Sequence, residues 1–259
     1  MYADDHQVYF NGTPIESIAS SLKNETKTVS QWYKANLLQA NPNKYQILVM
    51  APQRGDKNAK DTCTLTIDDQ QIRPTRNLKI LGINMDDELS FSNHVSDICK
   101  ASQKVGVLAR LRNFISCETK LHLYLTAIIP NLTYCHTVWH FCKASDRRKL
   151  ERAQERVLRI IFNSKTDTYD ALLSRAKLPS LHNRCLQDIA ILMFKVKNGL
   201  VPDYIMALFR NSNKGYSLRN ADFDLPCFSS VRYGKHSIRY LGPYLWSKLS
   251  AIDKNRHHR

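Results

Sequence analysis

Features that would place a chain in a membrane or a secretory pathway are absent from this sequence of 259 residues. No run of eighteen or more apolar residues occurs, so we expect no transmembrane helix and no membrane partner. Met1 is followed at once by Tyr2-Ala3-Asp4-Asp5, without the basic and apolar segments of a signal peptide. We therefore expect an intracellular protein of the cytoplasm or nucleus.

The sequence also lacks any pair of cysteines separated by two residues. Its seven cysteines are odd in number and scattered, so free thiols in a reducing compartment are the default. The one dense group of possible metal ligands is Cys135, His136, His140 and Cys142. A zinc site is the alternative there, but the group has no paired knuckle and encloses Trp139, so a buried helix face is favoured.

Acidic residues are scarce in the second half of the chain. Residues 1–144 contain 16 Lys and Arg against 13 Asp and Glu, a net charge of +3. Residues 145–259 contain 22 against 10, a net charge of +12. Such asymmetry favours a polyanionic partner, so we expect the basic second half to bind nucleic acid.

The strongest basic feature is a predicted amphipathic helix from Ser145 to Phe162, with Ser145 as its N-cap. One face is apolar, and the other carries arginines at spacings of four, four and three. Two interpretations remain open: the arginines bind phosphates, or Glu151 and Glu155 pair with them at i, i+4. The arginines of this stripe are Arg148, Arg152, Arg156 and Arg159.

The first ten residues carry the most specific pattern. The adjacent carboxylates of Asp4 and Asp5 lie between Tyr2 and the apolar run 8–10, as in a β-hairpin that presents an acid pair to a metal. Carboxylate oxygens suit Mg²⁺, and phosphoryl transfer commonly uses two such ions. Taken alone, an Asp-Asp pair is most often a solvated turn.

The remaining patterns predict an α+β fold. Helical periodicity runs from Ile15 and restarts at Thr26 or Thr28, and 45–50 is a predicted strand. Further short strands are expected at 62–67, 71–73 and 78–85, and helices follow from residue 91. The end of the chain, residues 222–248, is rich in turn-forming, aromatic and β-prone residues.

This succession resembles the C-terminal half of a reverse transcriptase from a non-LTR, LINE-type retrotransposon of the jockey kind. The likeness covers nearly the whole chain, and the tetrad Tyr2-Ala3-Asp4-Asp5 is its most specific motif. The individually weaker motifs are Trp32 with Asn36-Leu37, Asn41-Pro42-Asn43-Lys44, Leu78–Ile83, Phe91–Val95, Leu150–Gln154 with Val157–Arg159, and Arg232–Leu249.

The resemblance implies an RNA-directed DNA polymerase that uses Mg²⁺, an RNA template and a DNA primer. It implies a palm remnant over residues 1–88, a thumb-like helical region over 89–165, and a basic C-terminal region over 166–259. The fingers and the first palm half of the family, with a further catalytic Asp, have no counterpart in these residues. We therefore expect a truncated and inactive polymerase, or alternatively a non-catalytic nucleic-acid-binding protein or the product of a decayed element.

The resemblance also assigns roles to single residues. Asp4 would be a magnesium ligand with Asp5 as its neighbour, and Tyr2 would lie near the primer-template end. Lys44 would lie near the incoming triphosphate, with a surface lysine at a strand start as the alternative. Leu81-Gly82 would be the hairpin that grips the primer strand, with a bulge in an ordinary strand as the alternative.

Overall fold

A computed structural model describes residues 6–50, 63–67, 70–101, 105–111, 113–209, 222–228 and 230–249. The chain divides into two compact units, Met1–His94 and Val95–Arg259. All strands longer than one residue that the structure describes lie in the first unit, and helices make up most of the second. This mixture agrees with the predicted α+β class. No helix within the described ranges is long and apolar enough to cross a membrane.

The first unit opens with one continuous helix, α1 (Ile15–Ala35), where the sequence predicted a restart at a threonine. The hydroxyl of Thr26 donates to the carbonyl of Leu22 at 2.9 Å, and that of Thr28 to Asn24 at 3.2 Å. Both side chains thus bond back to the preceding turn instead of capping a new helix. The predicted break was therefore wrong.

Three short pairs of strands follow α1. Strand β1 (Ile47–Leu48) pairs in parallel with β4 (Pro74–Thr75), which leaves the predicted strand 45–50 shorter than expected. The antiparallel pairs are β2 (Leu65–Ile67) with β3 (Gln70–Ile72), and β5 (Asn77–Ile80) with β6 (Ile83–Asp86).

The last strand of the unit ends in a turn built by one carboxylate. Asp86 accepts backbone hydrogen bonds from Glu88 at 3.1 Å, from Ser90 at 2.8 Å and from Phe91 at 2.8 Å. Leu89 and Phe91 both have positive φ, so the carboxylate stabilises a conformation that their side chains disfavour. The turn buries Phe91 and leads directly into the next helix.

The core of the second unit is formed by the apolar faces of two long helices and a shorter helix between them. Leu158 and Ile161 come from one, Ile189 and Met193 from the other, and Leu172 from the shorter helix. The helices after the strands are α2 (Ser92–Ala101), α3 (Val105–Leu111), α4 (Cys117–Leu123), α5 (Ile129–Thr133), α6 (His136–Trp139), α7 (Ala144–Phe162), α8 (Tyr169–Ala176), α9 (Leu181–Lys197), α10 (Asp203–Met206) and α11 (Ile238–Lys248), with π-helical turns at Tyr124–Ile128 and Val231–Lys235.

The C-terminal aromatic segment forms the helix α11 instead of the turns and extended structure that its composition suggested. Gly242-Pro243 is a turn signal in the sequence, yet both residues are buried inside this helix. A Cβ on Gly242 would lie 2.6 Å from the Sδ of Met193, so the glycine permits close approach to α9. Trp246 packs with Met193 in a buried apolar cluster, and this packing outweighs the local turn preference.

A basic groove as candidate nucleic-acid interface

Helix α7 presents three of the four arginines of the predicted stripe to solvent. Arg148, Arg152 and Arg156 are exposed, while Leu150 and Leu158 on the opposite side are buried. The helix begins at Ala144, with Lys143 as its N-cap, so the predicted capping role of Ser145 was wrong. Asp146 lies in the first turn, where a carboxylate interacts favourably with the helix dipole.

The two glutamates within α7 are held by other groups. Glu151 accepts a short hydrogen bond from the Tyr169 hydroxyl and another from the backbone N–H of His182 at 3.2 Å. Burial raises the pKa of Tyr169, and the Glu151 carboxylate raises it further. The Tyr169 hydroxyl therefore keeps the proton that it donates. Glu151 thereby ties the start of α9 to α7.

Glu155 pairs with Arg159, so the pairing interpretation applies to this arginine. Nη2 and Nε of Arg159 donate to Glu155 Oε1 at 2.7 and 3.1 Å, and Nη1 donates to the carbonyl of Lys165 at 2.9 Å. Arg148, Arg152 and Arg156 have no ion pair with any residue that the structure describes. The structure thus separates one internally bonded arginine from three that face solvent.

Arg152 and Arg156 line a groove of about 510 Å³ in the second unit. Its walls come from α2, α3 and α7, and its floor is mainly apolar. All charged side chains in the lining are basic. The lining residues are Cys99, Lys100, Val105, Gly106, Ala109, Lys149, Arg152, Ala153, Arg156 and Ile160.

The two lysines of the groove differ from its arginines in having acidic partners. Lys149 donates to the buried carboxylate of Asp146 at 2.7 Å, and this hydrogen bond and charge raise the pKa of Lys149. Lys100 lies 3.5 Å from Asp97 in an exposed pair, which contributes little to stability. Burial raises the pKa of Cys99, so the groove presents a thiol and not a thiolate.

The predicted catalytic residues have different places in the structure. Tyr2, Asp4 and Asp5 lie outside the described residues, and their roles stay predictions. Lys44 is exposed at the end of a single turn of 3₁₀ helix that begins after Asn41. Its proposed place beside a triphosphate also stays a prediction.

Leu81-Gly82 forms the two-residue turn of the β5–β6 hairpin. Ile80 pairs with Ile83, and both turn residues have positive φ, of 46° and 86°. The alternative of a bulged strand is therefore wrong, while the role of the hairpin toward a primer stays a prediction. A turn of this shape normally takes Asn-Gly, and leucine at its first position is conformationally costly. The Leu81 side chain is 41% exposed at the tip.

Of the four side chains considered for zinc, the two histidines have protein partners, whereas Cys135 and Cys142 are free thiols. Nε2 of His136 lies 2.7 Å from Asp188, and burial, outweighing that carboxylate, lowers the pKa of His136. The ring nitrogens of His140 lie 2.6 and 2.8 Å from two backbone carbonyls. Among the described residues, no three His, Cys, Asp or Glu side chains are grouped to hold a metal. His136 and Trp139 are buried in α6, as the helix-face interpretation predicts, but Cys135 is exposed, and His140 and Cys142 lie beyond the end of this helix.

The arginines are recognisable in the sequence, but the groove is not. The opposing wall comes from α2 and α3, about fifty residues earlier, and no local pattern links these segments to α7. The one available signal was Lys100 at the polar side of an amphipathic helix. That signal is too common to identify a site.

Comparisons with known proteins find the chain similar to parts of polymerases from mobile elements. The "RNA-directed DNA polymerase from mobile element jockey" of Drosophila melanogaster is 28% identical over 195 residues, covering 73% of this chain and 20% of that protein. The protein of the same name in Drosophila funebris is 24% identical over 165 residues, which cover 62% of this chain and 17% of that protein. The D. melanogaster protein named "Probable RNA-directed DNA polymerase from transposon X-element" is 31% identical over 88 residues, covering 32% and 10%.

No protein-family model and no solved structure matches the chain. The chain spans about a fifth or less of the length of the relatives described above. The agreement among relatives from several elements nevertheless confirms the family inferred from the sequence: this chain is related to the reverse transcriptases of LINE-type, non-LTR retrotransposons.

Proposed function

We propose that this chain supplies the nucleic-acid-holding part of an RNA-directed DNA polymerase, with the basic groove against the phosphates of a primer-template duplex. The observation that carries the proposal is the exposed pair Arg152 and Arg156 in a groove whose charged lining is all basic. Arginine forks suit phosphate oxygens, and phosphate contacts hold a duplex without reading its sequence. The names of the relatives support RNA as template and DNA as product.

We further propose that residues 1–88 act as the remnant of a palm, residues 89–165 as a thumb-like region and residues 166–259 as a basic C-terminal region. The β5–β6 hairpin supports the palm assignment, because an exposed leucine persists where asparagine would fit better. A contact of Leu81 and Gly82 with the primer strand would explain that choice. Nucleic-acid substrates also favour action in the cytoplasm or nucleus.

For the chemistry we propose Asp4 and Asp5 as ligands of Mg²⁺, with Tyr2 near the primer end and Lys44 near the triphosphate. Carboxylates fit this ion, which would clamp the reacting oxygens. One acid pair provides too few ligands to fix two ions. The remaining ligands would have to come from another part of a complete polymerase.

The catalytic proposal is tested by primer extension on an RNA template with Mg²⁺ or Mn²⁺. The 259 residues alone should incorporate no labelled nucleotide. Incorporation that disappears in Asp4→Ala would show that these residues complete the metal site by themselves, and that inactivity was wrongly inferred.

The binding proposal is tested by titrating a primer-template duplex at several salt concentrations. Each phosphate neutralised contributes about 0.9 to the slope of log affinity against log salt on a duplex. Replacement of Arg152 and Arg156 by alanine should lower the affinity and flatten the slope by about two.

The matched control replaces Lys23 and Lys27, two exposed lysines of α1, by alanine. This variant loses the same formal charge in the other unit. If both double variants have the same slope, net charge and not the groove governs binding.

The second candidate is a nucleic-acid-binding protein without catalysis, or the product of a decayed element. The charge distribution favours a binding protein over a decayed product, because Arg152 and Arg156 lie in one groove. The binding function alone would be supported if the groove binds duplex and the protein stays inactive when the missing polymerase parts are added.

A further inference from the structure

A second surface in the C-terminal region combines stacked aromatic rings with positive charge. The rings of Tyr240 and Tyr244 are stacked with centroids 6.1 Å apart and planes 9° from parallel. Phe228 meets Tyr240 edge-on at 4.9 Å, and Nζ of Lys248 lies 5.6 Å from the Tyr244 centroid. We call Phe228, Tyr240, Tyr244 and Lys248 the aromatic ladder.

The ladder lies on the outer side of α11. Tyr240, Tyr244 and Lys248 are spaced by four residues and share one face of the helix. Gly242 and Trp246 occupy the opposite face and are buried in the apolar cluster with Met193. The inner face therefore anchors the helix, while Tyr244 and Phe228 each remain 40% exposed.

The ladder is held in place by a close contact at its first ring. A Cβ on Gly234 would lie 2.3 Å from Cβ of Phe228, so only glycine allows the turn to pack against this ring. Tyr244 contacts the ring of Tyr240 and the Nζ of Lys248. Its side chain is nevertheless 40% exposed, so ring surface remains at which a further planar group can stack.

Charge decides which planar group is favoured. Residues 225–252 contain Arg232, Lys235, Arg239 and Lys248 but no Asp or Glu. Bases of single-stranded nucleic acid offer planar faces beside phosphates, whereas a duplex hides those faces within its own stack. Proteins that bind single strands commonly combine basic side chains with aromatic rings on which the bases stack.

We propose that the aromatic ladder binds single-stranded nucleic acid, with an unpaired base stacked on the exposed surface of the Tyr244 ring and Lys248 beside the adjacent phosphate. The ladder shares no residue with the basic groove. Its binding of single strands therefore does not depend on the proposed contact of that groove with duplex.

The test measures fluorescence anisotropy of the full chain with labelled oligothymidylate, oligouridylate and a duplex. Tyr244→Ala should lower the affinity for both single strands roughly 5- to 140-fold, the range for loss of one base stack. It should leave the salt slope and the duplex affinity unchanged. Tyr244→Phe, the matched control, keeps the ring and should retain the parent affinity.

Lys248→Ala provides a second measurement, independent of any disturbance caused by loss of the ring. It should flatten the salt slope for single strands by about 0.7, the value for one phosphate contact. The Arg152→Ala, Arg156→Ala background should preserve the effect of Tyr244→Ala, whether or not the groove itself binds duplex.

Three outcomes would overturn the inference. The first is that Tyr244→Ala binds single strands as tightly as the parent. The second is that this variant loses affinity for single strands and for duplex equally. The third is that the protein binds anionic phospholipid vesicles with the same dependence on Tyr244, which would identify a lipid surface as the partner. A preference between oligothymidylate and oligouridylate distinguishes DNA from RNA within the proposal.

Discussion

Replacing Glu155 by glutamine should turn Arg159 from an internally paired residue into a member of the exposed arginine stripe. Arg159 now donates twice to Glu155, and the two side chains are 32% and 30% exposed. Glutamine keeps the shape of the side chain but removes its charge. The change therefore weakens the competitor for Arg159 without opening a cavity.

The expected magnitude follows from the number of phosphates contacted. One more contact should steepen the slope of log affinity against log salt by about 0.9. The affinity ratio of variant to parent should then fall about 3.5-fold between 50 and 200 mM salt. An i, i+4 pair on a helix contributes only about 0.3–0.5 kcal/mol, so the free energy of unfolding should change little.

The assay is a duplex titration at several salt concentrations, with urea unfolding of the same samples. Glu25→Gln, at an exposed position in the middle of α1, makes the same change of charge in the other unit. It should leave the slope unaltered. Should Glu155→Gln show the slope of the parent, Arg159 remains bound to the Lys165 carbonyl and the reasoning about the stripe fails.

Three further predictions concern the supporting structure. Leu81→Asn should raise the free energy of unfolding by about 1–2 kcal/mol, because asparagine tolerates positive φ, and should weaken primer-template binding; unchanged stability in urea would contradict the turn geometry. Burial by itself raises the pKa of Asp86, but the hydrogen bonds from Ser90, Phe91 and Glu88 outweigh it and hold that pKa below its usual range. The stability that Asp86 contributes is thus present above about pH 4 and is lost as pH falls through the lowered value, so acid unfolding of Asp86→Asn should lack this component. Gly242→Ala should be less stable than Gly106→Ala by about 1–3 kcal/mol, since a Cβ meets Met193 at the first position and nothing within 4 Å at the second; equal stabilities would refute the close packing of α11.

Local signals in the sequence predicted the elements whose ends are fixed by their own residues. The Thr168 hydroxyl accepts from the backbone of Ala171 at 3.3 Å, as expected of the residue that begins α8. Gly199 has a φ of 66° just beyond the end of α9, at a position where glycine commonly ends a helix. Such signals succeed because cap and helix lie within a few residues of each other.

Prediction failed where distant contacts outweigh local preference. The turn signal of Gly242-Pro243 gave way to a helix, since Gly242 packs against Met193, forty-nine residues earlier. Spacing alone left Arg152 and Arg159 equivalent, although only Arg159 has Glu155 as its partner. The partners of Glu151 were equally hidden, because Tyr169 and His182 lie 18 and 31 residues farther along the chain.

The groove and the aromatic ladder differ in the force that each would use, and this difference matches the two forms of nucleic acid that a template-directed polymerase must hold. The groove offers charge from Arg152 and Arg156, so its grip on a duplex should weaken steeply with salt. The ladder offers the face of Tyr244 with one adjacent lysine, so most of its affinity should come from stacking, which salt screens little. With both proposed surfaces, a single chain would hold a paired product by its backbone and an unpaired strand by its bases. Neither contact would need to recognise a sequence.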